Sequence, residues 1–404
     1  MRRTALAAVA AIACCGCYLH HGREGELDAA APTTLRLVAL GTGDDHTCAI
    51  DDGGGLWCWG FAQQGQLGEG SGDPARCAIG ITEGPVVDQP VRVLASVLAV
   101  AGGPSHTCAI TGDGYACWGA NCQGQLGNGD IVGSLRPEVR AVPTLGVWTG
   151  AGHSCIARDE GFACTGANER GQLGLGTMSP LSEPGATSFA PVEGLPRVID
   201  AGLGVAHTCA LDASGVVWCW GANGAGQLGD GTFDVRSSPS FVRGLTVPAT
   251  AIAAGDRHTC AATDDGAWCW GWNARGQLGI GAACAEGDEE CAERPLPERV
   301  RFDGPVDDVS AGSEFSCLRS GGEVWCWGAN DVGQLGRGSR GSSAGPVRVL
   351  AIDDAIAISC GANHACAILG DGRVMCWGRN AQGQLGDGTH ADALAPVETS
   401  FAPR

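Results

Sequence analysis

Short runs of apolar and β-favouring residues, each pair broken by a turn signal, recur along this chain. In Ala206-His207-Thr208-Cys209-Ala210-Leu211 and Val216-Val217-Trp218-Cys219-Trp220-Gly221, two such runs flank a Gly-bearing turn, the pattern of a β-hairpin. The unit Cys-x(8 or 9)-Cys-[Trp/Thr]-Gly followed by Gly-Gln-Leu-Gly occurs seven times. The tetrapeptides begin at Gly65, Gly124, Gly171, Gly226, Gly276, Gly333 and Gly383, with successive spacings of 59, 47, 55, 50, 57 and 50 residues. A unit of about fifty residues marks a repeat architecture whose modules bury their apolar faces against each other. Residues 35–404 are therefore read as one domain of seven modules.

The cysteine spacing predicts the hairpins in more detail. The pairs are Cys48 with Cys58, Cys108 with Cys117, Cys155 with Cys164, Cys209 with Cys219, Cys260 with Cys269, Cys317 with Cys326, and Cys366 with Cys376. Four of them are nine residues apart and three are ten apart. If paired cysteines face each other, the nine-spacing leaves two-residue turns at Gly112-Asp113, Asp159-Glu160, Asp264-Asp265 and Gly321-Gly322. The acidic pair turns fit this less well than the Gly-bearing ones. The ten-spacing leaves three-residue turns at Asp52-Gly53-Gly54, Ala213-Ser214-Gly215 and Gly370-Asp371-Gly372, each with Gly last, where a left-handed residue is needed. Counting outward from a two-residue turn puts each pair at a non-hydrogen-bonded position, with Cα atoms about 4.5 Å apart. Seven cross-strand disulfides are expected, one per repeat. Cys284 and Cys291 are expected to bridge an acidic insertion, and a bridge between Cys77 and Cys122 is left open. Cys360 reads as a buried free thiol at a small-residue position also filled by Ala101, Ala201, Ala254 and Ala311. Beyond the N-terminal Cys14–Cys17 cluster there is no Cys-x-x-Cys pair, which argues against zinc.

Composition changes the picture in two ways. With 25 basic against 44 acidic residues the net charge is −19, which repels phosphate backbones and anionic headgroups and argues against nucleic acid as a partner. Met1-Arg2-Arg3 followed by the apolar run Thr4 to Cys15 reads as an export signal, too short to span a bilayer comfortably. The segment ending Cys14-Cys15-Gly16-Cys17 resembles the lipobox of bacterial lipoproteins, without the usual Leu three residues upstream. It makes Cys17 the expected lipid anchor, with Cys14 as the alternative and cleavage without lipidation as a third possibility. Residues 1–17 are read as signal and lipobox, and 18–34 as a flexible tether.

The run Trp-Gly-x-Asn-x-x-Gly-Gln-Leu-Gly resembles the RCC1 (regulator of chromosome condensation) repeat, over about ninety per cent of the chain. The resemblance implies an all-β fold, a seven-bladed β-propeller of four-stranded blades, which protects its sheet edges by radial repetition. Departures are local: Ala62 stands where the other repeats have Asn121, Asn168, Asn223, Asn273, Asn330 and Asn380, and Thr165 replaces the Trp of Trp59, Trp118, Trp220, Trp270, Trp327 and Trp377. Phe315 replaces the histidine found as His46, His106, His207, His258 and His364, while His153 aligns if Ser154 takes the Thr place. A Pro-Val-x-Val run recurs at Pro90, Pro346 and, more loosely, Pro396, and the last is a candidate for closing the ring against the first blade.

A residue present in nearly every blade is there because the blade needs it. The histidines are therefore read as packing residues bonded to backbone within their own blades. The repeated Gln (Gln66, Gln125, Gln172, Gln227, Gln277, Gln334, Gln384) and Asn are read as satisfying turn backbone groups, and the Trp residues as blade core. No catalytic triad signature, phosphate loop or zinc-protease motif occurs, so no catalytic residue, cofactor or metal is expected. Function is expected in the insertions Glu69–Gln89 and Ile280–Pro297, the latter holding Glu286-Gly287-Asp288-Glu289-Glu290, read as a solvated acidic loop with calcium binding as the rival. The reading is a monomeric, non-enzymatic, envelope-anchored or secreted propeller that binds an unknown protein through its loops. Within the family such propellers serve as exchange factors for a nuclear GTPase, as chromatin binders and as secreted β-lactamase inhibitors; the nuclear roles do not suit an exported acidic chain. The alternative is a surface carbohydrate-binding or structural lipoprotein, for which Trp148 and Trp272 are the candidate platforms.

Overall fold

The computed structural model describes residues 35–75, 83–181, 183–281 and 293–401. The expected signal, anchor and tether (Cys14 and Cys17 among them), Cys77, Cys284, Cys291 and the acidic run Glu286 to Glu290 lie outside the described residues.

Seven small antiparallel sheets follow one another in chain order, the seven-bladed propeller the repeats imply. In blade 1, β1 (Leu37–Thr42) lines the central channel, β2 (His46–Asp51) and β3 (Leu56–Phe61) form the cysteine hairpin, and β4 (Val86–Leu94) is the outer edge. Five other blades repeat this order; blade 2 has only three strands among the described residues, its outer edge reduced to single bridges at Tyr115–Arg140 and Gly119–Ser134. In five blades the second strand, such as His207–Asp212, is buried along its whole length, and in blades 3 and 6 only its last one or two residues are partly exposed. That burial is why its sequence reads as a continuous small and apolar run rather than an alternating one.

The hairpin registers follow from the turn lengths, and every cysteine pair sits directly opposite. Cys48 faces Cys58, Cys108 faces Cys117, Cys155 faces Cys164 and Cys209 faces Cys219. Cys260 faces Cys269, Cys317 faces Cys326 and Cys366 faces Cys376. All seven pairs are at disulfide distance, with Cα atoms 4.0–4.1 Å apart, slightly closer than the expected separation. The three-residue turns place Gly54, Gly215 and Gly372 at φ of 77°, 85° and 90°. The acidic turns solve their problem differently. Their central residues keep negative φ, and the glycine just after each turn, Gly161 or Gly266, takes φ of 135° or 137° instead.

Ring closure differs from the sequence expectation. The last strand, Ala393–Glu398, pairs with Val374–Gly378 inside blade 7 and contributes nothing to the sheet of blade 1. Among the described residues no strand is shared between first and last blades, so side chains and single backbone bonds close the ring. Leu37 N–H donates to Gly372 O, Thr42 and Ser359 hydroxyls meet at 2.7 Å, and Phe401 packs edge-on against Trp57 and Trp59.

Candidate functional site

Six repeats carry Gly-x-x-His and the other Gly-x-x-Phe, and the structure shows what this spacing does. The loop joining the first two strands of a blade turns back so that Gly43 N–H donates to His46 O at 2.9 Å. A Cβ on Gly43 would lie 2.3 Å from the carbonyl oxygen of Gly103 in the next blade. The same close approach runs through Gly103, Gly150, Gly204, Gly255, Gly312 and Gly361, and Gly361 returns to Gly43. Seven glycines thus form a closed ring of backbone contacts at one mouth of the channel. The sequence reading missed this ring, although glycine three residues before every His, and before Phe315, was the signal.

The histidines are held by this turn but do not serve their own blades. Each imidazole Nε2 reaches a hydroxyl on the next blade: His46 to Thr107 at 2.8 Å, His106 to Ser154 at 2.9 Å, His153 to Thr208 at 2.9 Å, His207 to Thr259 at 3.1 Å and His258 to Ser316 at 2.8 Å. His364 closes the ring on Thr47 at 2.9 Å. This corrects the expectation of backbone partners within one blade. The hydroxyls point back: Thr107 donates to Gln66 O at 2.8 Å and Thr208 to Gln172 O at 2.8 Å. A hydroxyl has one proton, already given to that carbonyl, so Nε2–H is the donor and Nδ1 carries a bare lone pair. In all six histidines Nδ1 is buried without a hydrogen-bond partner. Burial pushes His46 and His207 down to about 4 and the other four to about 3, so all six are neutral.

The same glutamine carbonyl takes a second bond. Trp118 Nε1 donates to Gln66 O at 3.0 Å and Trp220 to Gln172 O at 2.8 Å, with Trp59, Trp270, Trp327 and Trp377 in equivalent bonds. These six indoles are fully buried blade core, as the sequence implied. The glutamine side chain caps its own turn, Gln66 Oε1 accepting from Gln64 N–H at 2.8 Å. The asparagine braces the turn from the other side, Asn121 Oδ1 accepting from Leu126 N–H at 2.9 Å while its Nδ2 donates to Val132 O at 3.0 Å. Where Thr165 replaces Trp, its hydroxyl lies 2.9 Å from both Gly124 O and Ala186 O. Where Phe315 replaces His, residue 365, which faces it across the seam, is Ala in place of the usual Thr or Ser.

The paired cysteines belong to the frame rather than to a site. Cys58, Cys164, Cys269, Cys326 and Cys376 are fully buried in the blade hairpins with their partners, and none of them lines the channel. Each bridge closes a short loop and constrains one hairpin, a local effect of about 2–3 kcal/mol at most.

The central channel encloses about 900 Å³. At the glycine-ring mouth stand Asp44, Asp45, Asp256, Asn363 and Arg379. Burial, with Asp256 and Asp45 adding to it, pushes Asp44 up to about 7. Asp45 is also raised by burial, against the pull of Arg379 at 3.8 Å and a 2.9 Å bond from Gln384 Nε2. Deeper in the wall burial raises Asp200 to about 6, although it accepts bonds from Ala201 N–H, Ile252 N–H and Trp148 Nε1. Asp308 is pushed by burial to about 7. Among the described residues no cluster of His, Cys, Asp or Glu has the arrangement of a metal site.

Neither candidate platform tryptophan is free. Trp148 folds back over Gly146 on the inner strand of blade 3, half-buried and bonded to Asp200 at 3.2 Å. Trp272 is half-buried with the Arg257 guanidinium 4.6 Å over its ring. Cys360 is a buried free thiol pushed up to about 12 by burial; its N–H donates to Ser310 Oγ at 3.0 Å. By register it matches Ala254 and Ala311, while Ala101, facing Cys108, sits one position earlier and Ala201, facing Ala210, two positions earlier. Cys122 is disulfide-bonded.

Comparison with known proteins agrees with this geometry. The model of the RCC1-like domain matches residues 4–316, and the model of the RCC1 repeat matches 321–368 and 371–404. The mouse E3 ubiquitin-protein ligase HERC2 is 31% identical over 82% of this chain, an alignment spanning 6% of that much longer protein. The ultraviolet-B receptor UVR8 of Arabidopsis thaliana is 28% identical over 87% of this chain and 70% of its own. Among solved structures, human WBSCR16 superposes with a TM-score of 0.75 at 23% identity, covering 86% of this chain and 94% of that one. Prp20p of Saccharomyces cerevisiae gives 0.71 at 20% identity, covering 91% and 87%. With the seven latched blades and family models matched along nearly its whole length, this chain belongs to the RCC1-repeat family of β-propellers.

Proposed function

We propose that this chain is a non-enzymatic propeller that binds a protein partner through the loops of one face. One observation carries the reading: the residues common to the repeats are already engaged. His, Thr, Trp, Asn and Gln are spent on seams and turns, so the side chains left for recognition are those that differ between blades. The relatives support it in kind, since Prp20p has been described with its binding to Gsp1p and histones. An acidic chain of net charge −19 fits a different partner from a nucleic-acid-associated one.

The export reading belongs to the same proposal. Seven cysteine pairs at bonding distance fit an oxidising compartment, and the N-terminal lipobox-like segment fits anchoring through Cys17, with Cys14 as the alternative. The carbohydrate-binding alternative loses its motivation, because Trp148 and Trp272 each have an intramolecular partner. The test is capture of envelope and culture proteins on the immobilised oxidised chain, with the reduced chain as control. One saturable protein partner is the expected result; retention of polysaccharide with no protein would overturn the reading. Fatty-acid labelling that survives Cys17→Ser and fails on Cys14→Ser would move the anchor.

A further inference from the structure

The loop after each Gly-Gln-Leu-Gly lies on the same face as the glycine ring, because the third strand of every blade runs toward that face. In blades 2, 3 and 4 this loop exposes large apolar side chains: Ile131 and Val132 (68% exposed), Met178 and Leu181 (79% exposed), Phe233 and Val235. The equivalent loops of blades 6 and 7 carry Ser339-Arg340 and Thr389-His390 instead. Isolated exposed apolar side chains are ordinary, but six large ones in the corresponding loops of three consecutive blades make an apolar crest along this face.

The crest is held in shape. Each loop is tied to the outer strand of the following blade, by Gly129 N–H to Thr187 O at 2.8 Å, Gly176 N–H to Ser237 O at 2.8 Å and Gly231 N–H to Pro295 O at 2.9 Å. A surface fixed in this way loses little freedom when covered. Each loop also presents an exposed carboxylate beside its apolar pair: Asp130, Glu183 and Asp234. None of the three forms an ion pair among the described residues, while the nearby Arg236 is committed to buried Asp230 at 2.9 Å.

Charge decides among occupants. A second copy of this chain would bring a net charge of −19 against the same carboxylates. An anionic membrane surface is repelled for the same reason. We propose that the crest on blades 2 to 4 docks an amphipathic basic segment of a protein, its apolar side seated on Val132, Leu181 and Phe233 and its basic side chains paired with Asp130, Glu183 and Asp234. The proposal rests on the protein-binding reading and gives it a place and a chemistry.

The test is fluorescence anisotropy of a labelled amphipathic Leu/Lys helical peptide titrated with the full, oxidised chain. Binding is expected to weaken at least tenfold in Val132→Ser/Leu181→Ser/Phe233→Ser, and to a similar degree in Asp130→Asn/Glu183→Gln/Asp234→Asn. It is expected to be unchanged in Arg340→Ser/His390→Ser, and absent for the matching Leu/Glu peptide. Equal binding to the serine variant would mean that bulk charge alone holds the peptide, and would overturn the proposal. So would absence of binding to the unaltered chain, or preferential binding of phosphatidylglycerol vesicles. A natural partner that binds the serine variant undiminished would leave the protein-binding reading standing while removing this surface from it.

Discussion

The seam between blades 5 and 6 and the seam between blades 6 and 7 are built on the same backbone from opposite materials. In the first, His258 donates to Ser316, and Ser316 and Trp327 both donate to Gln277 O. In the second, Phe315 and Ala365 lie in one apolar cluster, and only Trp377 still reaches the carbonyl, Gln334 O at 3.0 Å. Histidine and hydroxyl have been lost together. An imidazole facing a methyl would leave its N–H unsatisfied, whereas a hydroxyl facing the phenyl ring would still have the glutamine carbonyl as its acceptor, as Ser316 has Gln277 O. The seam between blades 2 and 3 shows the converse loss: Trp is replaced by Thr165, while His106, Ser154 and Gln125 keep their bonds. The latch therefore has two separable halves, and each of these seams retains one.

The comparison can be broken most forcefully by restoring one partner alone. Phe315→His should destabilise by about 2–4 kcal/mol, because the imidazole meets the Ala365 methyl and gains no acceptor. Adding Ala365→Thr should recover most of that loss, with a coupling of more than about 1 kcal/mol in a denaturant double-mutant cycle. Strict additivity would mean that the two positions do not act as a pair.

A pH titration sharpens the contrast at smaller size. The six buried histidines are depressed to about 3 or 4, so the stability they contribute is complete above their unfolded value of about 6.5 and is lost as pH falls. Asp44, Asp200 and Asp308, raised to about 6 or 7, act in the opposite sense, losing their contribution as pH rises through that range. Asp45 and Asp256 are raised by burial as well, so six groups oppose five, and Tm should fall between about pH 6.5 and 4. Converting the blade 5–6 seam with His258→Phe/Ser316→Ala should flatten that fall; an unchanged slope would show that the seam histidines do not set it. The smallest effect is expected for Thr165→Val, about 0.5–1 kcal/mol in urea unfolding, since only one hydroxyl bond is removed and the histidine half of its seam remains. A loss as large as that of Phe315→His would contradict the separability of the halves.

What could be read from the sequence was local. Hairpin register, turn length and the opposition of Cys209 and Cys219, or of Cys366 and Cys376, depend on one short segment that contains them all. The partner of His207 is Thr259, 52 residues on, and a repeat read by itself gives no reason to look there. The role of Ala365 was invisible for the same reason, although Phe315 stood out at once. The final Pro396-Val397 run looked like a ring closer because closure by a shared strand is a natural solution. Here Phe401, Thr42 and His364 close the ring instead. Of the candidate site, the long insertions drew attention by length, whereas the exposed loops of blades 2 to 4 have ordinary lengths and differ only in what they present.

The seam also bears on how such a ring can be rearranged. Apart from Phe315 and Ala365, each blade carries a donor for its successor and a hydroxyl for its predecessor, so the unit that must stay matched runs from the middle of one repeat to the middle of the next. Most blades carry the common pair and are chemically interchangeable at this contact. Blades 6 and 7 are not: Phe315 offers its successor no donor, and Ala365 needs a predecessor without the imidazole. Shuffling, duplicating or grafting blades in this protein would tolerate many orders, provided these two travel together.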